Sequence, residues 1–338
     1  MLGVIVGGFY FSLFSTAYAV MGINRLFRKE PEGATKEENM IPATKMDNTP
    51  APKPFLDSTF SFLKTSAILT GIISTLLSRS NASTLLKTPV QAIFFLFTTL
   101  TTFCFGARLP SPIPKLVHPL VTCTTLTWLT TFVTSKIVPN QSFTSLLQAY
   151  KAGTSCPVHM GAGDILLFLL GPAVVALACQ MYDKKKLMKE NIPEVATGIT
   201  VSSAGGLFGT AFLLKVLNLS SPIVRKSLMS RNITSPLAMA IAKIIGADPS
   251  LAVTMVVVTG LWGANFGAAS LDAVGIDNPV ARGLGIGAAA HGLGTAAFKD
   301  EKDAFPFAAI GMALTASACT VLVSIPLIKK ALVQIALG

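Results

Sequence analysis

Residues 304–328 read AFPFAAIGMALTASACTVLVSIPLI, a run of 25 positions without a charged side chain. An apolar run of about 20 residues is enough to cross a bilayer as a helix. No polar–apolar alternation competes with that reading, so a helix follows and a strand does not. Working outward, comparable stretches are Met1–Ile23, Phe60–Leu77, Val90–Gly106, Leu116–Ser135, Ile165–Met181, Val195–Leu217, Thr234–Ile245, Leu251–Ala269 and Val280–Ala297. The fold class that follows is all-α, a multi-pass transmembrane helical protein. Two of the stretches are unlike plain spans. Thr234–Ile245 is short and carries Lys243, and Val280–Ala297 is glycine-rich and contains His291.

Composition supports this reading. Charged residues are 13% of the 338, against about 25% in ordinary soluble domains, and hydrophobic residues are 51%. The mean hydropathy is +0.62. These values exclude a soluble globular enzyme, a disordered chain and a disulfide-stapled secreted domain. Lys and Arg number 27 against 16 Asp and Glu. The basic residues cluster between apolar runs, as in Lys184–Lys186 with Lys189 and in Arg225, Lys226 and Arg231. That pattern suits lipid headgroups and argues against nucleic acid. The clusters fall on loops that alternation puts on opposite sides, so charge does not orient the chain. The cysteines (Cys104, Cys123, Cys156, Cys179 and Cys319) are odd in number and scattered, which reads as free thiols. No clustered ligand set implies a metal or another cofactor.

Met1–Ile23 reads as a spanning helix: its basic residues follow the run, although Ala17-Tyr18-Ala19 also resembles a signal-cleavage site. Residues 24–58 form a polar, proline-punctuated linker. Two further helices fill 59–114, and the main helical domain occupies 115–338. A weak echo suggests an internal two-fold repeat. Leu169-Leu170-Gly171-Pro172-Ala173 and Gly285–Gly294 each run into a charged turn and then a long span. Interrupted segments in corresponding halves point to a transport site. Gly171 and Pro172, and Gly283, Gly285 and Gly287, are therefore the expected helix breaks.

Glycines 283, 285, 287, 292 and 294 each cost a helix about 1 kcal/mol. Close helix packing offsets that, or a broken helix turns free N–H groups toward an anion. On the second reading Gly292, Gly294, Thr295 and His291 line the opening. His291 either faces a cavity as ligand or proton carrier, or is neutral and bonded to a carbonyl. Arg231 can grip a carboxylate or anchor a span end. Asn232 and Thr234 are ligands or caps of the following helix. Asn265 is a substrate contact or a hydrogen bond between helices. Asp164 reads as a helix-capping carboxylate, and His118 and His159 as structural. No nucleophile–base set or paired carboxylate implies an enzyme.

Six stretches carry a family resemblance: Gly161–Leu166, Lys185–Lys189, Leu251–Phe266, Asp277–Gly283, Ala290–Ala297 and Leu314–Ala316. They resemble the LrgB-type membrane proteins, most of all the plastidial glycolate/glycerate-carrying branch. His291-Gly292-Leu293-Gly294-Thr295-Ala296-Ala297, with Pro279–Gly283 before it, is the specific signal. The resemblance implies carriage of glycolate and glycerate across the chloroplast inner envelope in photorespiration, by exchange or with a coupling proton or cation. Its bacterial side implies control of murein hydrolases and cell death, or pyruvate handling. The alternative to a carrier is a holin-like or scaffold membrane protein acting as a homo-oligomer, because helix faces rich in small residues suit self-association. The N-terminal third departs from the pattern. Met1–Ile23 looks like the last helix of an LrgA-like unit, and no transit segment is visible.

Overall fold

The computed structural model describes residues 1–27, 55–80, 83–110, 117–138, 140–169, 185–219 and 221–338, with Gly171, Pro172, Val175, Ala176, Cys179 and Tyr182 between them. Among the described residues every regular element is a helix. Six are long and apolar enough to span a bilayer: Leu2–Leu26, Asp57–Arg79, Thr84–Ala107, Ile192–Leu217, Pro249–Ala273 and Phe305–Ser324. The protein is a multi-pass integral membrane protein. The chain forms two compact units, one of Met1–Met40 with Leu177–Gly338 and one of Ile41–Ala176. This differs from the sequence-based division at residue 115. The first helix packs with the C-terminal half, because its Phe9, Leu13, Ala17 and Val20 share a core with residues of 195–310. The expected linker lies mostly outside the described residues, as do seven of the 17 positions of the Ile165–Met181 span.

The 41–176 unit holds α2 (Asp57–Arg79), α3 (Thr84–Ala107), α4 (Pro119–Ile137), α5 (Phe143–Tyr150) and α6 (Ala162–Phe168). Ser74 is the one buried residue of α2, while Phe62, Ile68, Leu69, Ile72 and Leu76 point outward. An apolar face of that size is tolerable only against lipid or another apolar surface. Hydroxyls along α3 and α4 bond back to carbonyls four residues earlier, as in Thr99 to Phe95 and Thr131 to Thr127. Each polar group is thereby satisfied inside its own helix. Asp164 sits in the first turn of α6, where it accepts from the backbone N–H of Ala152, Gly153 and Gly161 at 2.9–3.0 Å. Its role is to tie the preceding loop to the helix.

The other unit holds α1 (Leu2–Phe27), α7 (Lys185–Glu190), α8 (Ile192–Thr200), a π-helical turn (Val201–Gly205), α9 (Gly206–Leu217), α10 (Pro222–Leu228), α11 (Ser235–Ile245), α12 (Pro249–Ala273), α13 (Pro279–Ala297), α14 (Phe305–Ser324) and α15 (Pro326–Leu337). The 304–328 run is not one helix. Pro326 disfavours helical geometry at the preceding residue, and Ile325 is extended at ψ 119°. Helix α13 is the centre of the unit, buried at every position from Val280 to His291. It packs chiefly on α14, α12 and α1. Its glycines make this possible: a Cβ at Gly283 would overlap the Ala304 carbonyl, and one at Gly287 the Ala308 carbonyl. The expectation that Gly283, Gly285 and Gly287 break the helix is corrected here. They lie in helical backbone and serve close packing.

Candidate functional site

Between α10 and α11 the chain leaves helical geometry while staying inside the protein. Met229, Ser230, Arg231, Asn232 and Ile233 are all at most 2% exposed. Ser221 caps α10 and Pro222 starts it, but the helix stops after seven residues. Turn-type bonds, Arg231 N–H to Leu228 O and Ile233 N–H to Ser230 O, satisfy part of the loop. Thr234 then stands at the N-cap of α11 in extended geometry, without a side-chain cap bond. Non-helical backbone at membrane depth is tolerated where it is enclosed by protein or lines a cavity. The loop turns its polar side chains inward.

Arg231 is fully buried. Its Nη2 donates to Thr210 Oγ1 on α9 at 3.1 Å and to Ser12 Oγ on α1 at 3.3 Å. Its Nε and Nη1 have no acceptor among the described residues. Both hydroxyl bonds are long beside the roughly 2.8 Å of a charge-assisted bond to a carboxylate. Neighbouring Asn232 donates from Nδ2 to the Ala288 carbonyl of α13 at 3.2 Å, and its Oδ1 has no partner among the described residues. Gly206, just past the π-helical turn, gives the amide room: a Cβ there would stand 2.8 Å from Nδ2. In the turn itself, Ser202 Oγ lies 2.6 Å from Thr315 Oγ1 of α14. A cation, a free amide acceptor and several hydroxyls thus meet among α1, α9 and α13.

A second arginine gives the contrast. Arg282, in the first turn of α13, binds Glu301 in a bidentate pair at 2.8 and 2.9 Å, Asp272 at 2.7 Å and the Ile276 carbonyl at 2.9 Å. Its donors are spoken for, and Asp277 and Asp303 line the same cleft. It clamps the ends of α12, α13 and α14. Arg225 is likewise occupied, bonding Leu219 O, Asn218 Oδ1 at 2.6 Å and Leu337 O at 3.1 Å. The sequence groups Arg225 and Arg231 with headgroup-facing residues. Both are buried, because carbonyls at helix ends hold the first and hydroxyls the second.

The break expected in α13 is present, but at His291. Its backbone has φ 44° and ψ −140°, a conformation costing a non-glycine residue about 1–3 kcal/mol. The ring does not face an opening. Its Nε2 donates to the Val256 carbonyl at 2.8 Å, and it packs against Gly260, where a Cβ would stand 2.7 Å from Nε2. Thr295 closes the break from the other side, donating to His291 O at 2.8 Å and Ala308 O at 3.3 Å. Gly294 packs on Ile286, whereas a Cβ at Gly292 would meet only Met312 Sδ, at 3.5 Å. Asn265 is exposed on α12, outside the Arg231 group. Gly171 and Pro172 are exposed, and most of their helix lies outside the described residues. Of the sequence-named residues, the structure therefore brings Arg231 and Asn232 together and leaves His291 and Thr295 on the neighbouring break.

Sequence reasoning missed Ser12, Thr16 and Thr210. Gly8, Ser12 and Thr16 recur every fourth residue in α1, which puts them on one face of an otherwise apolar helix. That spacing was the available signal. No group of three or more metal-binding side chains occurs among the described residues.

Residues 99–329 match the profile of the LrgB-like family. The chain is 31% identical over 335 residues to the plastidal glycolate/glycerate translocator 1, chloroplastic, of Arabidopsis thaliana, covering 98% of this chain and 62% of that protein. It is 32% identical over 155 residues to the uncharacterized protein YwbG of Bacillus subtilis strain 168, covering 46% and 68%. It is 26% identical over 242 residues to the holin-like protein CidB of Staphylococcus aureus strain N315, covering 70% and 96%. No solved structure matches the chain.

Proposed function

The chain belongs to the LrgB-like family, and from that premise we propose that it is a secondary carrier of small 2-hydroxy monocarboxylates with Arg231 as the seat of the carboxylate. The observation that carries this reading is a fully buried guanidinium with two nitrogens unpaired and no carboxylate beside it among the described residues. A buried unpaired charge is expensive, and an anionic ligand is the natural compensation. The free Oδ1 of Asn232 accepts the hydrogen of the substrate hydroxyl. The dipole at the start of α11 adds positive potential beside both residues. Glycolate and glycerate are the substrates of first choice, since the Arabidopsis relative is named for them. The chloroplast envelope is the proposed location on the same ground.

His291 acts in this proposal as a hinge. Its strained backbone and single ring bond let the two parts of α13 move, which exposes Arg231 to one side and then the other. In the same proposal Gly171 and Pro172 break the matching segment of the other half. Exchange or coupling to a proton or cation would complete the cycle. The test is counterflow: proteoliposomes loaded with glycerate take up labelled glycolate, and Arg231→Gln removes the uptake. Normal uptake by that variant would overturn the assignment.

The holin-like reading draws on CidB, 96% of whose length this chain covers. It predicts leakage of an uncharged dye from the same vesicles, which a carrier does not produce.

A further inference from the structure

The first helix lies outside the residues that match the family, yet it reaches the buried arginine. Gly8 packs directly on the guanidinium: a Cβ there would stand 2.6 Å from Nε. Ser12, one turn later, accepts from Nη2 at 3.3 Å. Thr16, another turn on, is fully buried, and its hydroxyl has no partner among the described residues. This is unusual, because a helical threonine ordinarily bonds the carbonyl four residues back, as Thr259 does with Met255. Its rise above Ser12 is ~6 Å along the axis. A two- or three-carbon acid held at Arg231 bridges a gap of that order.

We infer that α1 is a wall of the substrate site and that Thr16 determines its specificity, donating its hydroxyl hydrogen to the oxygen on the second carbon of the bound acid. Gly8 leaves space for the guanidinium, and Ser12 positions Nη2. This rests on the reading of Arg231 as the anion seat. A substrate hydroxyl both gives and takes a hydrogen bond: it gives to Asn232 Oδ1 and takes from Thr16 Oγ1. A 2-keto acid can only take, and an unsubstituted acid does neither. The pair therefore ranks the 2-hydroxy acid glycolate above a 2-keto acid such as pyruvate, and both above acetate.

The test is competition against labelled glycolate counterflow by unlabelled glycolate, pyruvate and acetate. Thr16→Val removes the hydroxyl at nearly constant shape. It narrows the glycolate-over-acetate preference about three- to tenfold, the worth of one neutral hydrogen bond. Thr16→Ser keeps the hydroxyl and retains the preference. Ser12→Ala raises half-saturation for all three acids together. A wild-type preference in Thr16→Val overturns the role of Thr16, as does an equal loss in Thr16→Ser and Thr16→Val. In either case, loss of uptake in Arg231→Gln leaves the carrier reading standing. Undiminished uptake in Arg231→Gln defeats that reading, and this inference with it.

Discussion

Arg231 and Arg282 are both buried, yet their surroundings predict opposite responses to removal. Arg282 pairs with the half-buried Glu301 and the exposed Asp272, so Arg282→Met takes away the bidentate partner of Glu301 and costs about 1 kcal/mol. Arg231 satisfies nothing charged, so Arg231→Met removes a desolvated cation and leaves ligand-free stability unchanged or higher. Thermal unfolding of the two variants in detergent separates them, and a fall for Arg231→Met would mean that the residue is structural. His118 offers a pH readout at the N-cap of α4, which is not among the six helices long and apolar enough to span. Its Nδ1 accepts from Leu120 N–H at the start of α4, and burial holds its pKa below the ordinary 6.5. The folded state therefore prefers the neutral ring. Its contribution is full above pH 6.5 and is lost as the pH falls below that value. Protection factors in the first turn of α4, corrected for the slower intrinsic exchange at low pH, fall on acidification, and His118→Asn flattens the effect. The chemical type of Arg231 and Asn232 could be read from the sequence. Their lack of partners could not, because it depends on what α1 and α9 bring from more than 20 positions away.

At the level of helices, the glycines of α13 divide into two kinds. Gly287 faces the Ala308 backbone, so Gly287→Ala forces α13 and α14 apart, with loss of folded protein in detergent. Gly292 meets only the far end of Met312, and Gly292→Ala is tolerated. Size-exclusion profiles of the two variants check this, and equal behaviour would contradict the packing account. The break at His291 gives a related ordering. Alanine keeps the Cβ that makes φ 44° costly, whereas glycine does not. His291→Gly is therefore more stable than His291→Ala, although both lose the bond to Val256. The glycine run announced an unusual helix in the sequence. It did not say where that helix breaks, because periodicity treats every glycine alike, and the break falls on a histidine whose ring bonds Val256 O and lies against Gly260.

The whole molecule turns on α1, which the linear sequence sets apart behind a polar linker. Val4, Ile5, Phe9, Leu13, Ala17 and Val20 are each at most 1% exposed, and they enter both large cores of the unit they share with residues 177–338. Inside a bilayer the hydrophobic effect does not favour one helix position over another, so close packing and buried polar contacts must hold α1 in place. Gly285 lets the α1 backbone come close, since a Cβ there would stand 3.2 Å from Leu13 O, and Ser12 reaches Arg231. A helix fixed in this way does not need its covalent tether. A protease site placed in the stretch 28–54 should release a fragment that still co-purifies in mild detergent. It should keep glycolate counterflow near the uncut level. Omitting residues 1–27 altogether should leave Arg231 facing an empty groove, with counterflow lost. If the cut fragment separates while transport survives, α1 is an accessory and the site closes without it.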